Sequence, residues 1–421
     1  MKNRIILSLT TVLLLGLVAA LTFLKNKKTN LDPLIAQAPH LQHLIDYNKS
    51  MNSVGPGVVR LMGEVRLPDG MTLEFKPGTI ILAEQQSRLM IKGKIIAKGT
   101  TEYPIIFKAR VPGTYWSGIK LEGMQSQVFE KPTAATFFEL ENFLTWLKQF
   151  KGWASHASQF SHVTFSNIQR GKKEDVFKNN YIAALEATDT DIVITNSSFY
   201  DIRFGGGIFI LKSRGIFLHN QFLSDEIHKN FAFIESEALA YGNTIFQNHA
   251  LLNCNDGFWV INSRFVGTHN VISGKGDDGL DLKGSLAFIE YNNFLQNGDE
   301  AIDIDNGSHV ISHRNRGQGN GNGLQISESE VFSLEESMVS SRQNNFIARD
   351  GAKVIIQNSE CTEAEKCPKS IYKKLKVKLN SVVLNGKQVS GTPENLSFPI
   401  LSLKQIEQIG AQIRSLTKGI P

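Results

Sequence analysis

Asp256-Gly257-Phe258, Asp278-Gly279-Leu280, Glu300-Ala301-Ile302 and Asn322-Gly323-Leu324 follow one another at intervals of 22 residues. Four times a polar residue, a small residue and an apolar residue return in the same order. A repeat of roughly 20–30 residues with strand character is the mark of a solenoid, in which each coil buries its apolar face only against its neighbours. Constant register would place the first residues of the four motifs above one another, ~4.8 Å per coil. Outward from this stretch, Phe165, Phe199, Phe222, Phe246, Phe265 and Phe294 recur, with Asn196, Asn220, Asn243, Asn262 and Asn293 close to several of them. The spacing predicts phenylalanines piled in the interior and asparagines bonding the backbone of the next coil. Arg316 stands where the next phenylalanine is expected, and 327–342 read as an acidic, Ser-rich insertion before the pattern resumes at Asn345-Phe346.

The first third of the chain alternates apolar and polar residues between turn signals, as half-buried strands do. Met71-Thr72-Leu73-Glu74-Phe75 precedes Lys76-Pro77-Gly78, and Leu89-Met90-Ile91 precedes Lys92-Gly93. Trp116-Ser117-Gly118-Ile119-Lys120-Leu121 closes the series. The run from Leu73 to Gly123 resembles the opening coils of bacterial right-handed parallel β-helix repeat proteins of the pectin-lyase-like group. That resemblance implies an all-β, right-handed parallel β-helix and implies nothing about activity.

Four segments are expected: 1–30 as a signal peptide or membrane anchor, 31–57 as an N-terminal helical cap, 58–357 as the β-helix, and 358–421 as a C-terminal cap. Within the β-helix, Phe137, Phe138, Phe143, Leu144, Leu147, Phe150 and Trp153 recur at helical spacing, so 124–160 read as an inserted amphipathic helix.

The chain has 421 residues, 41% of them hydrophobic, with 35 Gly, 31 Asn and only 12 Pro, which excludes a collagen-like or disordered chain. The formal charge of +5 comes entirely from Lys2, Arg4, Lys25, Lys27 and Lys28, so it is no argument for a nucleic-acid partner. Ile5 to Leu24 is free of charge and long enough to span a bilayer, at ~20 residues per span. Cleaved signal and retained anchor are both open; either puts the rest of the chain outside the cytoplasm, and a membrane is met only through residues 5–24. In that setting Cys361 and Cys367 could close a small disulfide loop, while Cys254 reads as a buried small hydrophobe.

Residues 256–305 hold nine acids against Arg264, Lys275 and Lys283, a local net of −6. The register stacks Asp256, Asp278 and Glu300 in one column and Asp281 under Asp303 in another. Asp278 and Asp281 face one site only if the chain bends at Gly279. Packed carboxylates repel. Three remedies are open: a hard cation such as Ca²⁺ taking their oxygens, one carboxyl kept protonated beside an ionised neighbour, or side chains that splay into solvent or cap turns.

Asn255-Asp256-Gly257-Phe258 followed by Asp277-Asp278-Gly279-Leu280-Asp281 resembles the calcium motif of family 9 pectate lyases. The resemblance implies Ca²⁺ on Asp256, Asp277, Asp278 and Asp281. Glu300 and Asp303, stacked on the same acidic face, are expected to form a substrate face. The same spacing is similar to polygalacturonases, which hydrolyse glycosidic bonds with three aspartates, but their Gly-His-Gly motif is missing. The lysine base of the lyase family finds no match either, leaving Arg314 and Arg316 as the candidate catalytic groups. The function expected is binding or processing of an extracytoplasmic polysaccharide, as a polysaccharide lyase or glycoside hydrolase if an enzyme at all. The alternative is a non-catalytic envelope scaffold or adhesin.

Overall fold

The computed structural model describes residues 37–123, 132–169, 183–223, 226–227, 229–247, 256–339, 341–343, 346–349, 352–357, 359–361, 382–384, 387–389 and 396–420. The unit that carries the fold is His40–Pro421, and Met1–Pro39 form a separate one. The expected signal or anchor at 5–24, Cys254, Cys367 and the lysine-rich stretch 366–378 lie outside the described residues.

The chain folds as a right-handed parallel β-helix. Each coil visits three faces in the order B, A, C. Face B is a parallel sheet of 12 strands running from Met51–Val54 to Lys353–Gln357. Face A holds short strands such as Val271–Ser273 and Asn293–Leu295, and face C holds Leu280–Lys283 and Glu300–Asp305.

Interior packing follows columns of like residues. Phe165, Phe199 and Phe222 stack on face A with ring centroids 4.8 and 4.6 Å apart. The column continues through Ile245, Ile272 and Phe294 to Gly317 and Met338. Coil length varies, and this corrects the spacing argument. From Phe294 the coil is one residue longer than expected, so Gly317, not Arg316, takes the phenylalanine's place. A Cβ on Gly317 would meet Met338 Sδ at 2.6 Å, so the sulfur fills the gap. Phe246 points outward and is 47% exposed, while Phe265 belongs to face B.

At the turn from face B to face A, buried Asn220, Asn243, Asn270, Asn292 and Asn315 form a ladder. Asn270 Oδ1 accepts from Asn243 N at 2.9 Å, and Asn270 Nδ2 donates to Ala240 O at 3.0 Å. Asn196 and Asn262 are instead left-handed turn residues, and Asn293 lies on the outer side of face A. Glu336 occupies the next rung, and Ser329 continues a serine ladder at the turn from C to B. The described residues of 327–342 thus belong to a regular coil, with strands Glu330–Leu334 and Ser337–Val339, and not to an insertion.

The ends differ from expectation. Among the described residues the N-terminal segment holds the short helix α1 (Leu41–Leu44), and the first coil begins at Met51, because Met51–Val54 already pairs with Thr72–Phe75. The insertion carries α2 (Ala134–Phe137) and α3 (Leu140–Ala154) and ends before Ser158–Ser161, which is a face B strand. The C-terminal helix α4 (Leu403–Lys418) does not cover the last coil. It packs with α3 on the outside of face B, where Leu239, Val266, Phe288 and Ile311 meet Phe143, Phe150, Ile406, Ile409 and Ile413. From Ser158–Ser161 onward face B is therefore largely buried on both sides, while the earlier strand Met51–Val54 alternates exposed and buried residues. Strand Ser359–Cys361 of face A is extended by the hairpin Val382–Leu384 and Lys387–Val389.

Candidate functional site

The acidic residues gather at the corner where face A turns into face C. Gly257 N donates to Asp278 O at 2.9 Å and Gly279 N to Glu300 O at 3.0 Å, so Asp256, Asp278 and Glu300 stack as the 22-residue spacing requires. Glu300 in turn is in register with Asn322. The face C strand begins at Leu280, which leaves Asp278 in the corner and sets Asp281 on the strand in register with Trp259 and Asp303. The bend expected at Gly279 is there. The residue must be glycine because a Cβ would lie 2.3 Å from Phe294 Cδ1 and 2.6 Å from Ala301 O.

One oxygen each of Asp256, Asp277 and Asp278 lie within 4.8 Å of one another. Asp256, Asp278 and Asp281 are 1%, 6% and 4% exposed, which closes the option of splaying into solvent. Burial, reinforced by Asp256 and Glu300, pushes the Asp278 carboxyl well above the usual carboxylate range. Burial and the charge of Asp256 push Asp281 up to about 7, and burial pushes Glu300 up to about 7. Asp277 is raised by burial and by Asp256 and Asp299. Glu300 is only 5% exposed, and Asn322 Nδ2 donates to its Oε1 at 2.9 Å, so it is a corner residue and not part of an open substrate face. Asp303 is half-buried on face C, and Gln325 Nε2 donates to its Oδ1 at 3.2 Å.

Three lysines answer these charges. Lys229 Nζ donates to Asp256 Oδ2 and sits 4.3 Å from the centroid of the Trp259 ring. Lys283 Nζ donates to Asp281 Oδ2 at 2.7 Å. Lys275 is fully buried in the interior, donating to Asn230 Oδ1 at 2.8 Å and Gln247 Oε1 at 2.7 Å, and burial lowers its pKa to about 7. Its backbone N–H donates to Asn297 Oδ1 at 3.1 Å, and Asn297 N donates likewise to Asn320 Oδ1. Lys275 thus takes the place of an asparagine in an interior ladder, a substitution visible in the sequence as its 22-residue distance from Asn297. Lys229 carried no such signal. Despite these lysines, Asp256 Oδ1 and Asp281 Oδ1 are buried without a hydrogen-bond partner.

The arginines are elsewhere. Arg314 is a left-handed residue at the turn from B to A, bonded to Glu335 Oε2 at 2.5 Å and to the Tyr291 hydroxyl. Arg316 points outward at the start of a face A strand and donates to Gln318 Oε1 at 3.2 Å. Its expected interior position belongs to Gly317. Neither arginine is bonded to the corner carboxylates, of which Asp256 and Asp281 meet lysines instead.

Carboxylate oxygens are the donors a hard cation prefers. Two partnerless oxygens in a desolvated corner crowded with carboxyl groups fit such an ion. The donor set would be Asp256, Asp277 and Asp278, with Asp281 beside them.

No family model matches the chain, and no curated protein matches it. Among solved structures the chain is similar to a variant of the periplasmic alginate epimerase AlgG, at 12% identity over 82% of each chain with a TM-score of 0.36. An alginate lyase from Paenibacillus sp. str. FPU-7 matches at 13% identity over 73% of this chain and 93% of that one, TM-score 0.25. A hyperthermoactive exopolygalacturonase from Thermotoga maritima matches at 9% identity over 78% and 87%, TM-score 0.26.

Proposed function

We propose that the corner between faces A and C binds a divalent cation of the Ca²⁺ class and, through it, an acidic extracytoplasmic polysaccharide. One observation carries this reading: three carboxylates with oxygens within 4.8 Å, of which Asp256 keeps a buried Oδ1 without a partner. Face B is closed by α3 and α4, which leaves the sides formed by A and C for an extended chain. A cation bridging the corner to a uronate carboxylate would also acidify the adjacent C–H and so serve β-elimination. The apolar run 5–24 supports an extracytoplasmic location.

Binding without turnover is the second reading, as an envelope scaffold or adhesin. It is favoured by the ion pairing of both lysines on the carboxylates, Lys229 with Asp256 and Lys283 with Asp281, which occupies the groups best placed to act as a base. Incubation with polygalacturonate and alginate in Ca²⁺ or chelator separates the two. Ultraviolet absorbance of unsaturated uronate that requires Ca²⁺ and disappears in Asp278→Asn supports elimination. Ca²⁺-dependent glycan binding without product supports the scaffold, and no Ca²⁺-dependent binding to either polymer refutes the proposal.

A further inference from the structure

Lys229 is placed unlike a structural ion-pair partner. Its ammonium meets Asp256 Oδ2, while Oδ1 of the same carboxylate stays buried and unbonded, and one oxygen of Asp256 lies within 4.8 Å of oxygens of Asp277 and Asp278. Asp256 is 1% exposed, yet the Lys229 side chain is 23% exposed and lies over the indole of Trp259. One end of the pair is therefore fixed in the corner and the other borders solvent on the outer side of face C. Lys275, the other cation behind Asp256, is locked by two amide oxygens and has no access to solvent.

We infer that Lys229 is an exchangeable counter-ion: a divalent cation entering the carboxylate corner displaces its ammonium from Asp256, and the freed ammonium, still over Trp259, takes an anionic group of the glycan. This rests on the cation reading above and adds a specificity-determining residue to it. The logic is charge competition. A monovalent cation in contact with Asp256 opposes a divalent one arriving at the same carboxylate, so its removal strengthens metal binding. The same removal deprives the glycan of a cationic contact, so the two affinities move in opposite directions. A lysine that merely holds the fold together would weaken both.

Calorimetric titration of the full chain with Ca²⁺ is the first test. If the wild type shows no Ca²⁺ binding, the cation reading itself fails. Given binding, Lys229→Met is expected to bind Ca²⁺ about tenfold more tightly, and Lys229→Arg, which keeps the charge, to stay within about twofold of wild type. At saturating Ca²⁺, Lys229→Met is expected to bind trigalacturonate about tenfold more weakly than wild type. Unchanged or weaker Ca²⁺ binding in Lys229→Met, or unchanged trigalacturonate binding, overturns the inference while leaving the cation site standing. Should Lys229→Met fail to fold, the wild type answers alone. Lysine acetylation followed by peptide mass spectrometry should show Lys229 reacting faster at saturating Ca²⁺, with exposed Lys49 unchanged. Equal Lys229 rates with and without Ca²⁺ overturn it.

Discussion

Asp278 Oδ1 accepts the backbone N–H of Glu300, the residue one coil along in the same column, at 2.9 Å. A side chain that could be purely electrostatic is therefore also part of the ladder that holds two coils together. Coil stacking and the chemistry of the corner share one carboxylate, and pH and metal should act on stability through it.

Asp278, Asp281 and Glu300 all have folded-state pKa values raised by burial, the last two to about 7. A raised carboxyl favours the folded state fully at pH below its unfolded value, and the benefit is lost as pH climbs through the folded value. In chelator the protein should melt higher at pH 5 than at pH 8. Saturating Ca²⁺ should restore the loss at pH 8, by about 2.7 kcal/mol at a hundredfold excess over Kd. Calorimetric melts at both pH values, with Asp278→Asn as the control that no longer responds to Ca²⁺, measure this; pH-independent melting in chelator would contradict it.

Glu336 replaces asparagine on the ladder, fully buried, with Ser312 Oγ donating to Oε1 at 2.7 Å and Asn315 N to Oε2 at 3.0 Å. Burial raises its pKa to about 8. Its contribution is complete below the unfolded carboxyl range and is lost as pH rises through about 8. Glu336→Gln, of the same shape and never charged, should match wild type at pH 5 and be the more stable protein at pH 9 in denaturant titrations.

Asn270→Ala should cost about 2–3 kcal/mol. The change removes the acceptor of Asn243 N and the donor to Ala240 O, leaving two buried backbone groups unpaired. Urea unfolding measures it, and a cost below about 0.5 kcal/mol would mean that water replaces the ladder.

Gly279→Ala forces a methyl against Phe294 and the Ala301 carbonyl at the very bend that holds Asp278. A loss of about 1–3 kcal/mol is expected, together with a weaker Ca²⁺ shift in melting temperature. Loss of stability with a full Ca²⁺ shift would show that the corner tolerates the displacement.

Arg316→Ala should leave stability within about 0.5 kcal/mol and leave the Ca²⁺ response intact, because among the described residues the side chain is bonded only to Gln318. A strong effect on glycan turnover would return Arg316 to the site.

The acidic columns were readable because residues 22 apart in equal coils must stack, and Asp256, Asp278 and Glu300 do. The same arithmetic placed Asp281 beside Asp303. It misled wherever coil length changed. Asn243 and Asn270 are stacked neighbours 27 residues apart, and Phe294 sits beside Gly317 at 23. A shift of one residue on a strand exchanges inside for outside, which is why Gly317 and Ile245, and not Arg316 and Phe246, face the interior.

The solenoid, the acidic corner and its need for neutralisation are legible in the order of the residues, because periodic apolar residues and stacked charges follow from spacing alone. The same order also holds the amphipathic helices, whose apolar stripes must be covered. What covers them is set in three dimensions: α3 and α4 lie side by side on face B and not at the ends of the coil stack. Folding alone brings Lys229 to Asp256 and puts Lys275 behind them, while sending Arg314 to Glu335. Long side chains reach across coils of unequal length, so their partners depend on three-dimensional distance and burial, quantities that a one-dimensional period does not contain.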